Sequence, residues 1–163
     1  MNGQQQVYDY LKSLNIEFEY HEHAEAPTIE IARQYWEGHD GLHCKNIFLR
    51  NHKGKKHYLV VLDCDQSVVM KDLEQKLNQG KLSFASEQRM EKYLGLKPGS
   101  VSPFGLVNDK DHHVHCFFDK NLLNAEKLCF HPNINTASLT ISKEDFLLYL
   151  DNIGNSYEFI DLY

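Results

Sequence analysis

Residues 44–63 hold two apolar runs, Cys44-Lys45-Asn46-Ile47-Phe48-Leu49-Arg50 and Tyr58-Leu59-Val60-Val61-Leu62-Asp63. Between them lies a polar, glycine-containing connection that starts Asn51-His52-Lys53-Gly54. Runs joined this way predict a β-hairpin, with strands over 46–50 and 57–63. Both are nearly continuous in apolar character, which predicts central strands covered on both faces. Lys45 then stands at the entrance of a buried strand. An ammonium there needs a partner or a task, since breaking a buried pairing costs roughly 3–5 kcal/mol. The plain alternative is a lysine that snorkels to the rim.

The remaining composition narrows the class. A chain of 163 residues reads as one domain, 1–163, able to bury roughly 68–70% of its unfolded surface. No segment approaches the roughly 18 apolar residues that a membrane span needs. The opening Met-Asn-Gly-Gln-Gln-Gln carries neither a basic region nor an apolar core that would mark it for secretion. Cys44, Cys64, Cys116 and Cys129 are widely spaced with no CxxC pair. They read as small buried hydrophobes in a reducing cytoplasm, which argues against structural zinc.

The formal charge of −6 argues against broad, salt-driven adhesion to nucleic acid. Its distribution is uneven. Residues 41–60 carry Lys45, Arg50, Lys53, Lys55 and Lys56 with no acid, whereas 142–163 carry one lysine against five acids. A local positive field on an acidic body suits an anionic ligand approaching one face. A hairpin tip that is basic only for solubility is the alternative.

Val7, Tyr10, Leu11 and Leu14 recur at helical spacing and predict a helix over 4–14, ended by Asn15. Alternation over 16–20 predicts a half-buried strand, followed by a polar loop over 21–27. Thr28 is a plausible N-cap for a helix over 29–37. Beyond the hairpin come a helix over 72–77 closed by Gly80, a strand over 82–85, and a helix over 87–94 capped by Ser86 and stopped by Gly95. Residues 95–106 form a loop dense in Gly and Pro, whose exposed backbone N–H groups suit an anion or a developing oxyanion. Strands are expected over 113–118, 128–131 and 137–141, then a helix over 143–151 capped by Ser142, with Glu144 and Asp145 complementing its N-terminus. The tail alternates weakly, as an edge strand does. Helices and hairpins without regular βαβ alternation predict an α+β fold: a mixed, largely antiparallel, barrel-like sheet flanked by helices.

Ten histidines make metal binding tempting. His113 and His115 share a strand face beside His112, but no Asp/Glu/His constellation is fixed by spacing. No nucleophile elbow, P-loop or dinucleotide fingerprint is present. Cys44 beside Lys45 could be an activated thiolate, although a structural cysteine is the simpler reading. What remains is a set of polar residues at element ends: Tyr20, Thr28, Lys45, Asn46, the Gly99–Pro103 loop and His131. Such positions are the usual address of functional groups on a rigid scaffold. Each also has a structural explanation of its own, a cap for Thr28 and a turn for His131 before Pro132.

Three stretches in order carry a resemblance: Lys45-Asn46-Ile47-Phe48-Leu49-Arg50, the G-x-x-x-P stretch Gly99-Ser100-Val101-Ser102-Pro103, and His131-Pro132-Asn133-Ile134-Asn135-Thr136-Ala137-Ser138-Leu139. Together they resemble the YbaK/prolyl-tRNA synthetase-associated editing superfamily, and within it the freestanding ProX (PrdX, ProXp-ala) type, over nearly the whole chain. The resemblance implies a hydrolase that removes alanine mis-attached to tRNA for proline, with no metal, cofactor or covalent intermediate. It implies that Lys45 engages the 3′-terminal adenosine and ester. It further implies that the Gly99, Ser100, Val101, Ser102 and Pro103 backbone places the carbonyl. His131, Asn46, Tyr20 and Thr28 would shape the amino-acid pocket. Phe130 stands where many relatives have glycine before the histidine, which leaves the choice among alanine, cysteine and serine open.

The chemistry is compatible. An aminoacyl ester is already activated, so a placed water and oxyanion support suffice, one good donor contributing roughly 3–4 kcal/mol. The expected partner is the tRNA 3′ acceptor end, with prolyl-tRNA synthetase as a candidate docking partner and a monomer or homodimer as the assembly. Two other readings are a non-catalytic module binding tRNA or a synthetase, and a metal-dependent hydrolase built on His112–His115.

Overall fold

The computed structural model describes residues 1, 3–25, 30, 31, 34 and 41–163. Thr28 and most of the helix expected over 29–37 lie outside the described residues. The elements in order are α1 (Gln5–Ser13), β1 (Glu19–Glu22), β2 (Leu42–Asn51), β3 (His57–Asp63), α2 (Met70–Leu77), β4 (Leu82–Phe84) and α3 (Glu87–Leu94). They continue with a 3₁₀ turn (Pro103–Asn108), β5 (His115–Asp119), a second 3₁₀ turn (Lys120–Asn124), β6 (Lys127–Phe130), β7 (Ala137–Ser142), α4 (Lys143–Ile153) and β8 (Tyr157–Ile160). The strands follow the path β1-β7-β6-β2-β3-β5-β8, with β4 added on β2. The sheet is mixed, antiparallel at β1–β7, β2–β3, β2–β4 and β6–β7 and parallel at β2–β6, β3–β5 and β5–β8. Helices flank it, as an α+β reading requires.

β2 is the strand on which the sheet turns. One edge pairs with β3 from Cys44 opposite Asp63 to Arg50 opposite His57. The other edge is shared, Leu42 and His43 running parallel to Leu128 and Cys129 of β6, and Leu49 to Asn51 running antiparallel to β4. β3 is buried on both faces, as its continuous apolar run requires. Leu59 and Val61 enter the main core with Val7, Leu11, Phe104, Phe118, Phe146 and Tyr149. Tyr58, Val60 and Leu62 enter a second core with Leu73, Leu77, Leu82 and Phe117. Each such side chain contributes roughly 1.5–3 kcal/mol by leaving water.

Several boundaries differ from expectation for local reasons. Asn15 stands in the left-handed region at φ 58°, and the N–H of Ile16 returns to the Leu11 carbonyl at 3.0 Å, so 16 closes α1 instead of opening a strand. β1 therefore starts at Glu19. It takes in His21 and Glu22, expected as loop, opposite Ser138 and Ala137. α2 ends at Asn78 in the left-handed conformation before Gly80 is reached. β5 begins at His115 because the Val114 N–H is held by the Asp109 carboxylate at 2.8 Å. Part of the expected 95–106 loop is a 3₁₀ turn, capped by the Ser102 hydroxyl and opened by Pro103. The caps Ser86 and Ser142 and the stop at Gly95 stand as expected.

The hairpin end of β3 is locked by His57, 1% exposed. Its Nδ1 faces His113 Nε2 at 2.8 Å, and Arg89 donates to its Nε2 at 3.1 Å. Burial, then the neighbouring His113, Arg89, Arg50 and Lys92, hold its pKa down at about 4. The unfolded chain binds this proton near 6.5. This stability is therefore complete above about pH 6.5 and is lost as pH falls toward 4. The thermal midpoint should drop between pH 7 and pH 4.5 by the equivalent of roughly 2–3 kcal/mol, and His57→Phe should flatten that dependence in a calorimetric pH series.

Candidate active site

Strand alternation sorts the residues around β2. Leu42, Cys44 and Phe48 face the main core, and Ile47 and Leu49 face the second. Lys45 belongs by the same alternation to the Ile47 side and Asn46 to the Phe48 side. On β6, Leu128 and Phe130 point into the main core, which turns Cys129, and His131 just past the strand, the other way. The parallel register sets His43 opposite Cys129. Lys45 and His131 each lie two residues beyond that last pair, on the same side of their strands by alternation. There the strands part, because β6 ends at Phe130 while β2 continues to its pairing with β4.

His131 lies where β1 and β7 close the same face. Its Nδ1 donates to the Ala137 carbonyl at 2.8 Å, which fixes the tautomer and leaves Nε2 as an acceptor. Burial lowers its pKa, with the His23 ring adding to this and the Ala137 carbonyl opposing it, so the ring is neutral at pH 7. His23 stands with its ring centroid 6.1 Å away, held by the Ala24 carbonyl at 2.9 Å and the Ser138 hydroxyl at 3.1 Å. Lys45 has the partner its position required, donating from Nζ to the Gln66 carbonyl at 2.8 Å. The Cys44 thiol is pushed well up by burial and by Cys129, Cys64 and Asp63, which removes the thiolate reading.

The glycine-rich loop faces the other motif. The Ser100 N–H closes on the Lys97 carbonyl at 3.1 Å. Pro98 and Gly99 are the corners of this turn, and the φ of +85° at residue 99 is the value that a type II turn reserves for glycine. Among the described residues the N–H groups of Gly99 and Val101 donate to no acceptor. Among the described residues, a Cβ at 99 would meet Asn135 Nδ2 at 3.7 Å. Further along, the Phe104 ring packs edge-on to Phe130 at 5.8 Å. The Asn133 amide donates to the Phe104 carbonyl at 3.3 Å, and Tyr149 Oη donates to the Pro103 carbonyl at 2.7 Å.

Gln4 ties these loops together. Its amide donates to the Gly95 carbonyl at 3.0 Å, and its Oε1 accepts from Asn108 at 2.9 Å and Asn133 at 3.0 Å. Its backbone N–H donates to the Pro132 carbonyl at 3.3 Å.

The predicted residues are therefore gathered unevenly. The Gly99 turn meets the 131–135 loop, and Tyr20 stands beside Tyr8 at 6.3 Å, with its hydroxyl on Glu22 at 2.8 Å. Among the described residues no hydrogen bond connects Lys45 to His131 or to 99–103. Among the described residues the buried Asn46 Oδ1 has no partner. Ser100 and Ser102 are buried, and the Ser102 hydroxyl accepts from the Phe104 N–H at 3.1 Å, so these serines present backbone more than side chain. The His112–His115 cluster disperses, with His113 on His57 and His115 on Ser156 and Glu158. Among the described residues the group that brings three metal-ligating atoms together is Asp63, Cys64 and Asp65. Sequence reasoning did not single out Gln4, because a glutamine in a Gln-Gln-Gln run gives no signal of a loop clamp.

A family profile described as the aminoacyl-tRNA editing domain matches residues 23–148, and the chain belongs to that family of aminoacyl-tRNA-deacylating hydrolases. It is 41% identical over 162 residues, covering 99% of both chains, to the prolyl-tRNA editing protein ProX of Acetoanaerobium sticklandii. It is also 35% identical over 149 residues to the prolyl-tRNA synthetase associated domain-containing protein 1 of Bos taurus, covering 89% of this chain and 86% of that one. The fold is that of a solved structure proposed to be a trans-editing enzyme for prolyl tRNA synthetase, with a TM-score of 0.74, 18% identity, and 96% and 94% of the two chains covered.

Removing the Gln4 side chain strips partners from the Asn108 and Asn133 amides. Gln4→Ala should cost roughly 1–3 kcal/mol in a denaturant titration, with Gln4→Glu recovering part of it through the retained Oε1 acceptor.

Proposed function

We propose that this protein is a trans-editing deacylase that hydrolyses alanine wrongly attached to tRNA for proline, acting without metal or covalent intermediate as one domain in the cytoplasm. The observation that carries the reading is the approach of the Gly99 turn to Asn135 in the loop after His131, with Lys45 and His131 each two residues past the last β2–β6 pair. Lys45 engages the 3′-terminal adenosine and the ester. Its present acceptor is the neutral Gln66 carbonyl, which an anionic oxygen displaces with a stronger, charge-assisted bond. The Gly99 and Val101 N–H groups take the developing oxyanion, each well-aimed donor contributing roughly 3–4 kcal/mol. His131 offers its Nε2 lone pair to the attacking water or the substrate amine. Tyr20, Asn46 and the Ser100–Pro103 backbone bound a pocket that admits alanine and excludes proline, a role the resemblance assigns to Thr28 as well.

The need for such a second pocket is physical. A synthetase site for proline cannot strongly reject the smaller alanine, because one missing methylene discriminates by only roughly 1–3 kcal/mol. Phe130 does not set the pocket width directly, since its ring is 3% exposed and lies in the core. No described helix is long and apolar enough to cross a membrane, which is compatible with action on tRNA, alone or docked on prolyl-tRNA synthetase.

Incubation with alanyl-tRNA of the proline type should shorten the ester half-life, and an unchanged half-life overturns the reading. Lys45→Ala should lower kcat/KM by about 10²-fold or more, on the scale of one lost transition-state donor. Cysteinyl and seryl esters on the same tRNA, assayed in parallel, decide the amino-acid choice. Because His131 is neutral above its lowered pKa, kcat/KM should stay level through pH 7 and fall only below the ordinary histidine value of about 6.5.

A further inference from the structure

Beyond the parted strands, β2 leads to a second group of residues that the deacylation chemistry does not use. Phe84, opposite Leu49, is 69% exposed, more than any other large apolar side chain among the described residues. Directly opposed residues share a sheet face, and Lys45 shares that face with Leu49 by alternation. The exposed ring and the Lys45 amine therefore stand on one face, four residues apart along β2, about 13 Å by strand rise.

The hairpin tip follows at about 20 Å from Lys45. It carries Lys53, Lys55 and Lys56, all exposed. Arg89 of α3 donates from Nη1 to the Gly54 carbonyl at 2.8 Å, docking α3 on the tip. Gly54, Arg89 and Lys92 line one open cleft with Ser86, Gln88 and Tyr93. Among the described residues none of Arg50, Lys53, Lys55, Lys56, Arg89 and Lys92 has a carboxylate within ion-pair distance, and Arg89 Nη2 has no acceptor. Residues 50–57 and 81–92 together carry a net +5, which leaves −11 on the rest of the chain. Unpaired cations gathered on so acidic a body mark a surface for a polyanion, and an exposed ring beside them suits an unstacked base.

We infer that Phe84 and this cationic tip form a track for the acceptor arm of the RNA, with unpaired 3′ nucleotides stacking on Phe84 and phosphates of the adjoining duplex meeting Lys53, Lys55, Lys56 and Arg89. The inference rests on the proposed tRNA substrate and names the part of that substrate held away from the ester. It also explains how an acidic protein holds a polyanion: the contact is confined to one strip.

The test compares the full chain with a Lys53→Ser/Lys55→Ser/Lys56→Ser variant and with Phe84→Ala, all at exposed positions. Binding of uncharged tRNA is read by fluorescence anisotropy across a salt series, independently of any hydrolysis. The triple variant should bind at least tenfold more weakly at low salt, and its log–log salt slope should be shallower by about 2.7, about 0.9 for each of the three lost phosphate contacts. The ratio of kcat/KM on aminoacyl-tRNA to that on an aminoacylated CCA trinucleotide should fall at least tenfold. Phe84→Ala should weaken both substrates, with Phe84→Trp restoring them. Unaltered affinity and salt slope in the triple variant overturn the inference. So does a variant that keeps tRNA affinity while losing association with a synthetase, which assigns the tip to protein contact. Failure of the wild type to deacylate either ester overturns the proposed function instead, and the anisotropy series still decides the track.

Discussion

The pairing of β2 is the constraint on which the rest depends. A strand has two edges, and β2 gives one wholly to β3 and divides the other between β6 and β4. Among the described residues β6 pairs no further than His43 and β4 begins at Leu49, so that edge carries no ladder between them. The opening comes at residues 44–47, where Lys45 and Asn46 stand. The polar site is thus a consequence of sheet topology, placed where the ladder is interrupted and not where a loop happens to be long.

Around that opening the chain uses amides where another protein would use a larger core. Gln4, Asn108 and Asn133 join the N-terminal segment to the loops that start at Gly95 and Pro103 and to the one after His131. Asn133 adopts a left-handed backbone at φ 64°, a conformation asparagine tolerates better than most side chains. Amides have fixed geometry and carry no charge, so they hold two loops in register without adding to the field at the site. The neutral His131 follows the same economy, its tautomer set by one carbonyl.

The sequence was most readable where local chemistry decides structure. The β2–β3 hairpin, the serine caps at 86 and 142 and the stop at Gly95 all follow from residues within a few positions of one another. It was less readable where a distant partner decides. Ile16 looked like a strand residue but belongs to the end of α1, and His21 and Glu22 became strand because β7 offered them an edge. The site divides in the same way. Lys45, Gly99 and His131 stood out as polar residues at element ends, whereas Gln4 acquires its role only when three loops converge on it. The four-residue run His112–His115 pointed toward metal, yet β5 begins only at His115, and His113 before it meets His57 while His115 meets Ser156 and Glu158.

Phe130 joins two demands in one residue. Its ring stacks on Phe146 at 4.9 Å and meets Phe104 edge-on, while its backbone leads straight into His131. A lineage that replaced it with glycine to reshape the neighbourhood of that histidine would also remove a ring from the centre of the aromatic cluster, and a large-to-small change of that kind costs several kcal/mol, about 3–5 for phenylalanine to alanine. Any change at this position is therefore felt first by Phe104 and Phe146, whose rings rest on it, before it reaches the histidine that follows.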